Sequence, residues 1–324
     1  MSVTVSNPPL KNWIPYKLIF ENNLPLVCWC YVSDIRFEHP FFEETIARCK
    51  SHPYNSSGYR SISTLETMID WAETFTDTAP ISFIFHISRC GSTLLSQLIG
   101  LNKKHTVLAE VPFFDELLRL PYKLKNRDEQ FQKKILRAAI KLVGQNRFGN
   151  EEHLFIKTDS WHICFYQIYR ELYPTSPAIF LYRSPDEVVS SHQKHRGMQA
   201  IPNLIEPELF GFNENDVKEL SLDAYTAKVL EKYLLLFEEI ISTDSLAMQI
   251  DYKQGATDMI HLIGKHLNIN WEEEHLKQIN TRSLFHSKHP EQNFLKEIKS
   301  NIIPDYLQDA MNVYERLNLQ IVAG

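Results

Sequence analysis

The sequence has no run approaching the roughly 18 consecutive apolar residues that a membrane-crossing helix requires. Its opening residues, MSVTVSNPPLKNW, lack the basic region and apolar block of an export signal. Positive charge is not in excess: 34 Lys and Arg stand against 40 Asp and Glu, a formal net charge of -6. That balance argues against a general nucleic-acid binder, while leaving room for local basic pockets around small anions. Cysteine is sparse and odd in number, with five residues (Cys28, Cys30, Cys49, Cys90 and Cys164) and no paired C-x-x-C spacing for zinc. These read as reduced thiols, so the expectation is a cytoplasmic protein with a small ligand and neither a membrane nor a nucleic acid as partner. Internal repeats and low-complexity segments are absent as well.

With 324 residues, 44% of them hydrophobic, the chain has enough apolar surface for a sizeable core in one large or two unequal domains. The pattern changes near residue 79. Before it, LPLVCWCYV suggests a buried strand, with Cys28 and Cys30 in its core, and HPFFEETIARCKS suggests a helix with Pro40 in its first turn. After it, short apolar runs alternate with helical stretches: APISFIFHI, LFIKT, AIFLYR and LAMQID are each followed by a helix-like segment. Such alternation predicts an α/β fold, a parallel sheet flanked by helices built from βαβ units. Residues 1–78 form an N-terminal extension or small accessory domain, 79–324 the main domain, 113–150 a helical insert and 270–324 a C-terminal helical segment.

Ligands of such sheets bind beyond the carboxyl ends of the strands. Polar residues just past the predicted strands therefore carry weight: Arg89 to Thr93, Glu110, Lys157 to Asp159, Arg183 and Tyr252. In FIFHISRCGSTLLSQLIG the turn Ser88–Gly91 opens a helix at Ser92, Thr93 and Leu94, which aims backbone N–H groups and the positive helix end at one anion. The loop is not a Walker A motif. His86 stands where that pattern has its first glycine and Ser92 where it has its lysine, while Arg89 within the turn supplies a cation. A second anion site lies in YRSPDEVVSSHQKH, where Arg183 ends a strand, Ser184 and Pro185 open a helix, and Ser191 sits two turns on. The alternative for Arg183 is a pairing with Asp186 or Glu187.

Arg89-Cys90-Gly91-Ser92-Thr93, followed by Arg183 with Ser191, resembles the two cofactor loops of sulfotransferases that use 3′-phosphoadenosine 5′-phosphosulfate (PAPS). The likeness spans roughly residues 80–270. The first loop is similar to the bacterial and tyrosylprotein branch, R-x-G-[ST]-T-L, and Leu94 replaces the tryptophan that stacks on adenine in the steroid and phenol enzymes. The resemblance implies a P-loop-type fold, PAPS as co-substrate with 3′,5′-adenosine bisphosphate (PAP) as product, no metal, and a small-molecule or peptide acceptor. It implies the 5′-phosphosulfate on Arg89–Thr93, the 3′-phosphate on Arg183 and Ser191, and an adenine contact from Tyr252 in MQIDYKQG. A last phosphate contact would come from Ser287 or Lys288, although the family's R-K-G signature is missing there.

By the same resemblance Lys157 in FIKT is the catalytic lysine, stabilising the leaving group together with Arg89. Two carboxylates compete for the base. Glu110 matches the catalytic glutamate of the bacterial and tyrosylprotein branch, and Asp159 stands where the cytosolic members have histidine in K-T-H. Glu110 is preferred, with its pKa expected to be raised by a partly closed site. His192 and His195 read as a solvated helix face, and SLDAYTAKVLEKYLLLFEEIIS as a core helix. Two rival classes stay open: a P-loop kinase-like enzyme and a non-catalytic nucleotide-binding module.

Overall fold

A computed structural model describes residues 10–76, 78–124, 128–283 and 303–323. Its centre is a five-stranded sheet of β4 (Ser82–His86), β5 (His105–Ala109), β6 (His153–Lys157), β7 (Ala178–Tyr182) and β8 (Ala247–Asp251). Every pairing is parallel, and the order is β5-β6-β4-β7-β8. Strands β4 and β7 are buried along their whole length, as expected of a sheet with helices on both faces. From β4 the chain runs toward the β5 edge, and from β6 it crosses to β7 on the other side of β4. The switch in direction places a crevice above β4, where open α/β sheets take their ligands.

Helices follow the strands as the alternation predicts: Ser92–Gly100 after β4, Pro185–Lys194 after β7 and Ala256–Leu267 after β8. The insert is a pair of helices, Pro112–Leu124 and Glu129–Val143, the second capped by Asp128. The stretch beginning at Ser221 is the helix Leu222–Thr243, whose apolar face is buried around Phe237 and Tyr233. Its start is fixed by Ser221 Oγ, which accepts from the N–H of Ala224 at 3.2 Å. Among the described residues no helix is long and apolar enough to cross a membrane.

The N-terminal region holds two strands more than its apolar runs announce. β1 (Trp13–Glu21) pairs antiparallel with β2 (Leu24–Tyr31), and the two-residue β3 (Ile62–Ser63) adds to β2. The turn uses Asn22 and Asn23 at φ 51° and 64°, the left-handed pair a two-residue hairpin demands. Pro15 coincides with a register shift, where its missing N–H breaks the ladder. Gln145 on the insert side receives the N–H of Asn12 (2.9 Å) and donates to the carbonyl of Trp13 (3.0 Å), docking the hairpin. Pro40 lies ahead of the helix Phe42–Cys49 instead of inside its first turn. The apolar residues of the hairpin and of the main sheet belong to one continuous core.

Candidate active site

A cavity of about 620 Å³ opens over the carboxyl ends of the parallel strands. Its wall includes Arg89, Gly91, Ser92 and Thr93 after β4, Glu110 after β5, Asp159 after β6, Arg183 and Ser191 after β7, and Tyr252 after β8. One crevice thus gathers most of the residues that the strand-end rule singles out; Cys90, Lys157 and Thr158 are buried behind it.

The loop after β4 owes its form to three left-handed residues. Ser88, Arg89 and Gly91 have φ of 69°, 49° and 85°, so successive N–H groups turn toward one concavity at the start of the helix Ser92–Gly100. Gly91 is required twice over. Its φ disfavours any side chain, and a Cβ there would lie 2.2 Å from Cε2 of Tyr252. Cys90 and Leu94, expected among the cofactor residues, turn their side chains into the core. The Cys90 thiol donates to the carbonyl of Leu181 at 3.3 Å, and burial pushes its pKa up to about 12. These two positions offer only backbone to a ligand, because an apolar helix start must face the sheet.

Arg183 follows β7 directly, with Pro185 at the first position of the next helix. Ser184 occupies the cap position, but its hydroxyl bonds the Asp186 carboxylate and leaves the helix N–H groups uncapped by it. The Arg183 guanidinium pairs with Glu187, lies 5.2 Å from the ring centroid of Tyr252, and approaches the carbonyl of Arg89 at 3.5 Å. The pairing with Glu187 and the position on the cavity wall therefore coexist. Arg89 donates through Nη2 to the carbonyl of His195 at 2.5 Å. Ser287 and Lys288 lie outside the described residues.

The β5–β6 side carries the titratable chemistry. Glu110, at φ 51°, sits in a left-handed conformation and keeps 24% of its side chain exposed to the cavity. Its Oε1 lies 2.6 Å from Lys157 Nζ and 3.3 Å from His86 Nε2. Lys157 is fully buried and is not part of the cavity wall; among the described residues its Nζ has no hydrogen-bond partner besides this ion pair. A lysine at this strand end is expected on the rim facing a leaving group; instead the Lys157 ammonium is buried against Glu110.

The expectation of a raised Glu110 pKa is reversed. Burial pushes it upward, but the Lys157 ammonium and the His86 ring outweigh it and hold the carboxyl well below its usual range. Asp159 is the carboxyl that is raised: burial, then the negative charges of Glu110 and Asp115, push it well above the ordinary value. His162 Nε2 stands 3.6 Å from its Oδ2, beyond hydrogen-bond reach.

Several wall residues were not singled out in the sequence. Phe41 and Glu43, from the N-terminal region, reach the cavity, as do Trp161 and the segment Gly197–Gln199. Asp115, in the first turn of the insert helix, accepts from Trp161 Nε1 (2.6 Å) and Arg119 Nη1 (3.0 Å), with His162 Nε2 at 3.2 Å. Arg119 continues to Glu206 at 2.6 Å. Asp115, Asp159 and His162 bring ligand-type atoms within 4.8 Å of one another. Both Asp115 oxygens are nevertheless occupied by N–H donors, one of them a guanidinium, so the group is built as a hydrogen-bonded network. His192, read as solvated, is buried; its Nδ1 accepts from the N–H of Gly197 at 3.2 Å, shaping the wall segment that follows. Chain continuity carries no signal for these contacts, apart from acids and glycines that have many other uses.

No protein-family model and no curated protein sequence matches the chain. Solved structures do. The sulfotransferase domain from the curacin biosynthetic pathway superposes with a TM-score of 0.50 at 16% identity, covering 75% of this chain and 99% of that domain. Sulfotransferase STF9 from Mycobacterium avium matches with a TM-score of 0.46 at 11% identity, over 79% of this chain and 81% of that one. Mouse sulfotransferase SULT7A1 complexed with PAP matches with a TM-score of 0.38 at 13% identity, over 76% and 79%. The similarity read from the two loops and the architecture of the sheet agree: the chain has the α/β, P-loop-type sulfotransferase fold.

Proposed function

We propose that the protein is an enzyme transferring a sulfuryl group from PAPS to a hydroxyl or amine of a small acceptor. The supporting observation is the convergence, on one cavity, of the left-handed loop Ser88–Gly91, the Arg183–Ser191 pair and the Glu110 carboxylate. The residues fit the nucleotide. The loop offers N–H groups at a helix start with no Cβ at Gly91, and Arg183 and Ser191 offer a fork and a hydroxyl for a second phosphate. When bound, PAPS supplies the activated sulfuryl group and, as its leaving group, a 5′-phosphate. The strand order separates the tasks, with the cations at β4 and β7 and the carboxyl groups at β5 and β6.

In this reading Arg89 and the loop N–H groups hold the leaving phosphate, and the fold positions the acceptor on the opposite side. Glu110 takes the acceptor proton: it is ionised and exposed to the cavity, whereas burial favours the protonated form of Asp159. Lys157 acts through Glu110, holding the carboxylate charged from below. Asp159 and Trp161 line the acceptor wall, and the insert contributes Asp115 beneath it.

Calorimetry with PAP, AMP and ATP with magnesium tests the nucleotide, followed by a screen of hydroxyl and amine metabolites with PAPS, read as PAP release. Tight PAP binding with weaker AMP binding and turnover on an acceptor are expected. Equal binding of PAP and AMP would point to an ordinary nucleotide site, preference for ATP with magnesium to a kinase, and PAP binding without turnover on any acceptor to a binding module.

A further inference from the structure

His86, the last residue of β4, belongs to no phosphate-loop pattern, yet it is 4% exposed and touches three functional segments at once. Its Nδ1 accepts the backbone N–H of Ser88 at 3.1 Å. Its Nε2 lies 2.9 Å from the carbonyl of Thr158 and 3.3 Å from Glu110 Oε1. The contacts determine the tautomer. An amide N–H requires a bare Nδ1, and a carbonyl requires a proton on Nε2, so the ring is neutral, with its Nε2 proton donated to the Thr158 carbonyl and Glu110 Oε1 alongside at 3.3 Å.

We propose that His86 is a positioning residue that couples the phosphate-binding loop to the proton acceptor. One nitrogen holds Ser88, the first left-handed residue of the loop, and the other orients the Glu110 carboxylate. The inference rests on the sulfuryl-transfer reading of the cavity. The geometry gives the coupling its force. Ser88 and Glu110 are both non-glycine residues at positive φ, conformations that persist only where neighbours hold them. His86 bonds the first directly and borders the carboxylate of the second. It also ties both to β6 through Thr158, whose N–H donates to the carbonyl of Ile84 at 3.1 Å. Burial lowers the His86 pKa, which favours the neutral ring at neutral pH.

The two nitrogens are separable by substitution. Asparagine places an amide oxygen near the Nδ1 position, and glutamine places an amide N–H₂ near Nε2. His86→Asn retains the acceptor for Ser88 and loses the donor to Glu110; His86→Gln does the reverse. For His86→Asn, PAP affinity should stay within about threefold while kcat falls about 30-fold or more. For His86→Gln, kcat should stay within about fivefold while PAP affinity weakens about tenfold. Parallel loss of both quantities in both variants, tracking a drop in melting temperature, would reduce His86 to a packing residue and overturn the coupling. So would an unchanged kcat in His86→Asn or an unchanged PAP affinity in His86→Gln. If either variant fails to fold, nitrogen-15 NMR of the wild-type chain decides: a bare Nδ1 and a protonated Nε2 are expected at pH 7, and the opposite tautomer or an imidazolium refutes the proposal. Failure of the wild-type protein to bind PAP would instead sink the sulfuryl-transfer reading, leaving the tautomer measurement to test the contacts themselves.

Discussion

Lys157 Nζ lies 2.6 Å from Glu110 Oε1, with the lysine fully buried and the glutamate open to the cavity. The pair joins the end of β6 to the end of β5, and Glu110 N–H donates to the Lys157 carbonyl at 2.8 Å as well. A carboxylate held this way serves as a proton acceptor and as the counterion of a buried ammonium. Substitution has to separate the two roles.

Glu110→Gln removes the proton acceptor and leaves Lys157 buried without a counterion. Turnover should fall by about 10²–10⁴ with PAP affinity nearly unchanged. Stability should fall too, by about 1–3 kcal/mol, below the range for fully buried pairs because Glu110 keeps some exposure. Thermal melting and kinetics of the double variant Glu110→Gln/Lys157→Met separate the roles: stability should recover while turnover stays low. Recovery of turnover in the double variant would show that Glu110 serves only as a counterion.

Asp159 gives a prediction in pH. Its folded-state pKa is raised above the unfolded value, mainly by burial. The favourable contribution of such a carboxyl is present below the unfolded pKa, about 3.9, and is lost as pH rises toward the folded pKa. Asp159→Asn copies the protonated acid and removes the penalty. The variant should melt higher than wild type at pH 7 and at the same temperature near pH 4, with turnover changed by less than about tenfold. An Asp159→Asn variant without activity, beside an active Glu110→Gln, would transfer the base role to Asp159.

Much of this site was legible in the sequence because strands β4 to β8 read as short apolar runs, and a polar residue within three positions of the end of each falls on one rim. That logic located Arg89, Glu110, Arg183 and Tyr252. It failed where side-chain direction mattered. A lysine ending a strand reads as a rim cation, yet Lys157 points beneath Glu110. A cysteine in a phosphate loop reads as a ligand contact, yet Cys90 packs inward. The sign of the Glu110 shift depends on two neighbours, His86 and Lys157, that lie 24 and 47 residues away in sequence. β1 escaped because Pro15 interrupts its ladder, although Asn22-Asn23 before a second apolar run is a hairpin signal that a turn-first reading would have used.

The nucleotide contacts are tested by Arg183→Ala and Ser191→Ala. Each should weaken PAP binding by roughly 1–3 kcal/mol in calorimetry, with the fold intact by circular dichroism. AMP, which lacks the 3′-phosphate, should lose far less in both variants. Unchanged PAP affinity in both would remove the second anion site from the assignment.

Gly91→Ala tests the loop geometry from the opposite direction. A methyl group there meets the ring of Tyr252 at 2.2 Å, and the residue would also hold φ near 85°. PAP affinity should fall at least about tenfold as the loop shifts, while the left-handed backbone itself costs roughly 1–2 kcal/mol. Adding Tyr252→Ala removes the steric part and leaves the backbone cost. Isothermal titration of the single and double variants should therefore show partial recovery, limited by whatever Tyr252 contributes to the ligand. No recovery would mean that backbone conformation alone governs the loop; complete recovery would mean that the contact with Tyr252 does, and that the left-handed φ at Gly91 carries little of the binding.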